Sequence, residues 1–173
     1  KQGRPAGIVA KMNSLEDPKL IELLYEASEA GVEMDFIVRG VCRLVPGKPG
    51  LSERIRVRSI LGRFLEHSRC YIFANDGNPE YYIGSADWMH RNLDARIEAI
   101  TPISSPALKR YLQFVMEVYL KDNHQSWMCQ PDGTYKKVIP NEGEAILASH
   151  PALMHHTKEQ LSPLPMEAES QTA

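Results

Sequence analysis

The sequence predicts a single α/β domain built on a mixed β-sheet flanked by helices, and three observations carry that expectation. Residues 7–38 read as strand, helix and strand, the order and compass of a βαβ unit of roughly 30 residues or more. Residues 54–58 alternate Arg, Ile, Arg, Val, Arg, the period of two of a half-buried strand. Residues 106–120 carry apolar side chains at helical spacing behind a Pro. The composition agrees: 173 residues, 43% hydrophobic and 24% charged, suit one globular domain with an ordinary core. Gly (11) and Pro (12) are near average and no long repeat stands out, which excludes collagen-like, low-complexity and solenoid architectures. No apolar run reaches the roughly 18 residues of a membrane-spanning helix, and attachment to a membrane surface stays open. A chain opening at Lys1 rather than Met, without a leader, reads as a piece of something longer.

The elements follow in order. Gly7 to Ala10 is a short apolar strand, followed by the polar Lys11-Met12-Asn13-Ser14. Asp17 at the N-cap and Pro18 at the first helical position start a helix. Leu20, Ile21, Leu23, Leu24, Ala27 and Ala30 recur along it, and Gly31 ends it where a left-handed residue is wanted. Val32 to Val38 is the next strand, expected parallel to the first with a right-handed crossover. Arg39 then lies at the carboxyl end of a strand, where ligand sites of open α/β sheets collect. Residues 45–52 hold two Pro and two Gly and read as a loop. The strand of residues 54–58 places Arg54, Arg56 and Arg58 on one face and Ile55 and Val57 on the other. Cys70–Phe73 and Tyr81–Ile83 form a hairpin through Asn75-Asp76-Gly77-Asn78-Pro79. Arg96 to Ile100 is a further strand. Pro106 to Leu120 is a helix capped by Ser104 or Ser105, with a buried stripe of Leu108, Tyr111, Leu112, Val115 and Val118 or Tyr119. Trp127–Cys129 and Thr134–Lys136 flank the turn Pro131-Asp132-Gly133 as a small hairpin. The domain is drawn as residues 1–139 and residues 140–173 as a mostly disordered tail, in which His155-His156 is incidental because no third and fourth metal ligands accompany it.

Cys42, Cys70 and Cys129 are odd in number and lack C-x-x-C spacing, which fits neither a disulfide framework nor a structural zinc site and points to a reducing compartment. The formal charge of -2 conceals an asymmetry. Between Arg39 and Arg69 seven Arg and Lys48 face only Glu53 and Glu66, a net +6 in 31 residues that leaves -8 for the remainder. An Arg-dominated excess suits a polyanion, because guanidinium presents fixed forked donors to phosphate oxygens. A solvated face, internal ion pairs and a charged edge strand are the structural alternatives.

The stretch with chemical content is His67-Ser68-Arg69, just before a strand, and Gly84-Ser85-Ala86-Asp87, at the end of the next. If those strands pair, imidazole, guanidinium, hydroxyl and carboxylate come to one patch able to hold a phosphoryl group. His67 and Arg69, two apart, share a face in extended chain. Imidazole suits proton transfer near neutral pH and Arg69 supplies permanent charge. Asp87 orients an imidazole or an Arg. A His beside a strand serves structure as readily as catalysis.

His-x-Arg followed by Gly-Ser-x-Asp resembles a variant of the H-x-K…G-S-x-N signature of the phospholipase D superfamily, with Arg69 for Lys, Asp87 for Asn and a longer spacing. Lys11-Met12-Asn13-Ser14-Leu15, Ile37-Val38-Arg39-Gly40, Gly50-Leu51-Ser52-Glu53, Ile55-Arg56-Val57, Arg63 to Arg69, Gly84-Ser85-Ala86-Asp87-Trp88-Met89 and Arg91-Asn92-Leu93-Asp94 together resemble bacterial polyphosphate kinase of the first type, from about Ala6 to Val138. The resemblance implies a phospholipase D-like half, the C-terminal catalytic domain. It implies an enzyme that moves the terminal phosphoryl of ATP reversibly onto inorganic polyphosphate, through a phosphohistidine on the half absent here and with Mg²⁺. His67 matches the family's second essential histidine, a general acid or base, and Arg39 a phosphate-binding arginine. Arg56, Arg69, Ser85 and Arg96 are proposed as further phosphate contacts on chemistry and position. No metal ligand is assigned, the Mg²⁺ ligands being expected mostly outside this chain. The implied partners are ATP or ADP, polyphosphate and the remaining domains, in a cytoplasmic homo-oligomer. Nucleic acid is not expected, since Phe64 is the one aromatic between Arg39 and Arg69 and base stacking wants more. The chain alone should be inactive without the nucleophilic histidine. A non-catalytic polyanion-binding module and a phospholipase D-like phosphodiesterase half-site are the alternatives.

Overall fold

The structure, a computed structural model, describes residues 3–160. β1 (Gly7–Met12), α1 (Pro18–Glu29) and β2 (Glu33–Val38) form the expected unit, and β1 pairs parallel with β2 along its whole length. The local chemistry behaves as expected: Asp17 Oδ1 accepts from the Leu20 N–H at 2.8 Å, and Gly31 follows the helix at φ +97°. β3 (Ile55–Ile60) lies parallel to β2, while β4 (Cys70–Phe73) runs antiparallel on the other side of β1. β5 (Glu80–Gly84) returns beside β4 as the predicted hairpin. β6 (Ile100–Pro102), α2 (Pro106–Leu120), β7 (Ser126–Cys129), β8 (Tyr135–Lys137) and α3 (Ser149–Gln160) complete the described chain. The sheet order is β6-β5-β4-β1-β2-β3-β7-β8. It is mixed, as predicted.

Alternation along the strands sends side chains to two apolar layers. Ala10, Met12, Met34, Phe36, Val38, Ile55 and Val57 meet Ile21 and Leu24 of α1 on one face. Ile37, Ile60, Cys70 and Ile72 meet Met116 and Tyr119 of α2 on the other. Central strands covered on both faces are the usual consequence of a helical crossover.

Three expectations change. The strand assigned to Arg96–Ile100 begins only at Ile100, after a five-residue π-helix at Arg91–Ala95, so Arg96 lies outside the sheet. In α2, Leu108 and Tyr111 are 53% and 41% exposed, and the packed stripe is Leu112, Val115, Met116 and Tyr119. That set keeps the i, i+3, i+4, i+7 spacing but starts one turn later. Tyr111 and Phe114 instead meet α3, their rings 6.2 and 4.4 Å from that of His156. Residues 141–160, placed in a disordered tail, are built into the fold. Buried Asn123 donates to Glu144 Oε1 at 2.9 Å and to the Ala145 carbonyl at 3.0 Å, and its Oδ1 accepts from the Leu147 N–H at 2.8 Å. Asp122 Oδ2 accepts from the Ser149 N–H at 2.7 Å at the start of α3. The docking is polar and comes from a turn distant in sequence, so apolar periodicity could not announce it. Residues 161–173 lie outside the described residues.

Candidate active site

The register of the sheet decides where the site forms. Lys11, near the end of β1, pairs with Ile37 of β2 on one side and Cys70, the first residue of β4, on the other. The chain leaving β2 and the chain entering β4 therefore meet at the carboxyl ends of β1 and β2. Residues 61–69 have no helix or strand of their own, so His67 is placed by side chains reaching out from the sheet.

Arg39, half-buried just past β2, makes most of the connections. Its Nη1 donates to the Glu66 carbonyl at 2.7 Å and its Nη2 to Asn13 Oδ1 at 2.5 Å. Nη2 also lies 3.0 Å from His67 Nδ1. A guanidinium only donates, so Nδ1 accepts and the neutral ring carries its proton on Nε2. His67 is exposed, and its pKa lies below the ordinary 6.5, through partial desolvation first and then the charges of Arg69 and Arg39, with Asp87 opposing. At neutral pH the ring is uncharged, with Nε2–H available to a ligand.

Arg69 is spoken for. Its Nε and Nη2 donate to buried Asp87 at 3.0 and 3.1 Å, and its Nη1 to the His67 carbonyl at 2.9 Å. Asp87 also accepts from the Asn13 N–H at 2.7 Å. Burial pushes the Asp87 carboxyl up, but the Arg69 and Asn13 hydrogen bonds outweigh it and hold the pKa below the usual value. Of the two roles foreseen for Asp87, orienting an Arg is the one realised. Trp88 pins this loop, stacking on Tyr71 with centroids 5.5 Å apart and meeting Phe36 edge-on at 5.6 Å.

The other candidates lie elsewhere. Arg56 does not reach the patch: its Nε and Nη2 are held by Asp35 at 2.8 Å each and its Nη1 by Glu33 at 2.8 Å, partners about 13 and 20 Å back along β2 from Arg39 at about 3.3 Å per residue. Arg54 shares Glu33, and Arg58 donates to the Leu120 carbonyl. Arg54 and Arg56 are thus ion-paired to Glu33 and Asp35 of β2, while Arg58 serves a backbone carbonyl. Ser85 turns its hydroxyl to Glu98, whose carboxylate also lies in the fields of Arg96 and Arg69. Ser85 and exposed Arg96 are therefore grouped with Glu98, and neither makes a hydrogen bond to His67 among the described residues.

Three participants escaped the sequence reading. Buried Lys11 forms an ion pair with Glu66 and donates to the Ser68 carbonyl at 3.1 Å, and Asn13 bridges Arg39 and Asp87. The signal was a lysine ending an apolar strand, which reads equally well as the first solvated residue of a loop. Mg²⁺ takes oxygen ligands, but the carboxylates beside His67 are engaged: Glu66 by Lys11 and Asp87 by Arg69. The patch therefore does not fit a metal site. Among the described residues Asp17, His90 and Asp94 bring ligand atoms within 4.8 Å of one another, but Asp17 is already the α1 cap and His90 lies 2.6 Å from Asp94.

Comparison with known proteins places this geometry in context. A polyphosphate kinase from Thermosynechococcus vestitus is 57% identical over 157 residues, covering 91% of this chain and 21% of its own. The crystal structure of polyphosphate kinase from Porphyromonas gingivalis superposes with a TM-score of 0.87 at 40% identity, over 91% of this chain and 24% of that one. Nuc of Salmonella typhimurium, a phospholipase D family member, shares the fold at 16% identity, with a TM-score of 0.54 over 74% of this chain and 84% of its own. The chain thus spans about a fifth of the curated relatives it matches. The family model described as Polyphosphate kinase C-terminal domain 2 matches residues 1–149, and with that match and the shared fold the chain belongs to the polyphosphate kinase C-terminal domain family.

Proposed function

We propose that this chain supplies one half of a polyphosphate kinase active site, in which His67 is the acid–base group and Arg39 a phosphate-binding cation. The observation that carries the reading is the exposed His67 ring held 3.0 Å from Arg39 at the carboxyl ends of the parallel strands. The substrates are ATP or ADP and inorganic polyphosphate, and the nucleophilic histidine and the Mg²⁺ ligands lie in the remaining domains of a cytoplasmic homo-oligomer. The terminal phosphoryl leaves ATP for that histidine and then joins the end of a polyphosphate chain, reversibly. In such transfers the protein mainly positions the groups and stabilises charge on the phosphoryl oxygens. In its neutral form His67 meets a phosphoryl oxygen as a hydrogen-bond donor through Nε2–H. As a general acid the ring must first carry a proton on both nitrogens; it gives the Nε2 proton to the phosphate oxygen, is left neutral, and takes that proton back when the reaction reverses. Arg39 holds the ring's other nitrogen and presents fixed positive charge beside it. Mg²⁺, when bound elsewhere in the enzyme, screens the phosphate charge, and the residues here act without touching it. Arg69, Ser85 and Arg96 border the path of the chain, whereas Arg56, neutralised by Asp35 and Glu33, serves the sheet.

Calorimetric titration of the chain with inorganic polyphosphate at two salt concentrations, beside a DNA oligonucleotide of similar charge, tests this. Polyphosphate-selective binding that weakens in Arg39→Ala and His67→Ala but not in Arg56→Ala is the expected result. Equal binding of DNA, indifferent to all three changes, would overturn the half-site in favour of a nonspecific basic face.

A further inference from the structure

We infer that Lys11 and Glu66 are positioning residues for His67, a buried cation and a half-buried carboxylate whose pairing fixes the turn presenting the imidazole. The inference rests on the reading of His67 above. Three consecutive carbonyls around the ring are each held by a different cation. That of Glu66 accepts from Arg39 at 2.7 Å, that of His67 from Arg69 at 2.9 Å, and that of Ser68 from Lys11 at 3.1 Å. The cations come from the end of β1, the end of β2 and the start of β4, so the turn is tied to three strands at once. Glu66 closes the turn from inside, accepting from the Ser68 N–H at 3.1 Å and the Ser68 hydroxyl at 3.0 Å while pairing with Lys11. His67 is left at the apex.

Stability alone does not explain the pair. Lys11 is 6% exposed, with Nζ 5.3 Å from the centre of the Tyr119 ring in the layer beneath α2. Desolvating an ammonium there is costly, and apolar residues of similar volume often replace a buried ion pair without loss. What an apolar side chain cannot do is hold the Ser68 carbonyl and the Glu66 carboxylate together.

That distinction sets the test. Lys11→Met, Glu66→Gln and the double variant are made in the chain and in the full-length enzyme that contains it. Either single change leaves an uncompensated buried charge or donor and lowers the melting temperature. The double variant recovers the melting temperature, yet its kcat stays below the parent by up to about a hundredfold, the scale of a misplaced catalytic group, with KM for ATP little changed. In the chain, the His67 titration followed by NMR moves up toward the ordinary value, because the ring leaves Arg39 and Arg69, which face it with Asp87 opposing. Loss of the Lys11 charge acts in the same direction but is the smallest of these influences, so Glu66→Gln, which keeps Lys11, separates the two. A double variant with parental kcat, KM and His67 titration would overturn the proposal. Should the double variant not fold, Ser68→Ala at an exposed position decides: a moved His67 titration supports positioning and an unmoved one overturns it. If His67→Ala in the full-length enzyme keeps parental turnover, the acid–base reading falls, and the titration still reports on positioning.

Discussion

At His67 the identity of one hydrogen-bond partner fixes the chemistry. Arg39 can only donate, so the ring accepts at Nδ1 and keeps its proton on Nε2. Partial desolvation of the exposed ring and the two guanidiniums favour the neutral form. The sign follows: the ring takes up its proton at a lower pH than free histidine, so NMR should show the His67 midpoint below 6.5, rising in Arg39→Ala. A midpoint at or above 6.5 in the parent would contradict that environment. In the full-length enzyme His67→Ala should lower turnover by about 10²–10⁴-fold, the range of a general acid–base group. Glu66 makes a separate, acid-side prediction. Burial acts to raise its pKa, but the Lys11 hydrogen bond and charge, together with Ser68, hold it at about 2 against an ordinary 4.5. A depressed carboxyl stabilises the fold above its unfolded pKa and loses that contribution as pH falls. Melting temperatures between pH 5 and pH 3 should therefore fall less steeply in Glu66→Gln than in the parent, and parallel slopes would show that the pair does not contribute.

At the scale of elements, two junctions carry the site. Gly40 follows Arg39, and its N–H donates to the Asn13 carbonyl at 2.7 Å. A Cβ there would stand 2.9 Å from the same oxygen, closer than such atoms pack. Gly40→Ala should push Asn13 away from Arg39, destabilise by about 1–3 kcal/mol and weaken polyphosphate binding, whereas a variant with parental binding would show that the strand ends adjust freely. The second junction is the docked C-terminal segment. Removing residues 141–173 takes the Ser149 N–H from Asp122 Oδ2, while Oδ1 keeps His124 and Gln125, and strips the Asn123 side chain of its partners, at about 1–3 kcal/mol for each lost buried contact. With roughly 2–4 °C per kcal/mol at this size, differential scanning calorimetry should find the truncated chain melting about 5–10 °C lower. An unchanged melting temperature would mean that α3 adds nothing to the domain. Here the sequence reading was misled by composition. Pro, Ser and Glu beyond about Pro140 suggested solvation, while the contacts that order residues 144–150 come from buried Asp122 and Asn123 and half-buried Gln125, which no local pattern connects to them.

Across the molecule, the net +6 of residues 39–69 is divided by the sheet into two uses. Arg54 and Arg56 are cancelled by Glu33 and Asp35 across a parallel pair, where Asp35 stands directly beside Arg56. Among the described residues no carboxylate pairs with Arg39, whose guanidinium meets a carbonyl, an amide oxygen and an imidazole nitrogen and retains its charge for a ligand. Polyphosphate affinity should therefore fall with salt less steeply than a run of eight basic residues suggests, since log K tracks the number of phosphates actually neutralised. A slope matching all eight would show that these ion pairs open to the ligand.

The sequence by itself determined the strand–helix–strand opening, the hairpins, the limits of α1 and α2, and the pairing of His67 with Arg39 in one family pattern. Caps, turns and periodicities act over a few residues and need no partner from afar. Only the tertiary structure decided which arginines are spent on carboxylates, that Asp87 serves Arg69, that Lys11 and Glu66 stand beneath the imidazole, and that residues 141–160 dock. Each of these depends on strand register or on a buried side chain meeting a group distant in sequence. Electrostatics in a protein depends on distance and burial, and neither is written in the order of residues.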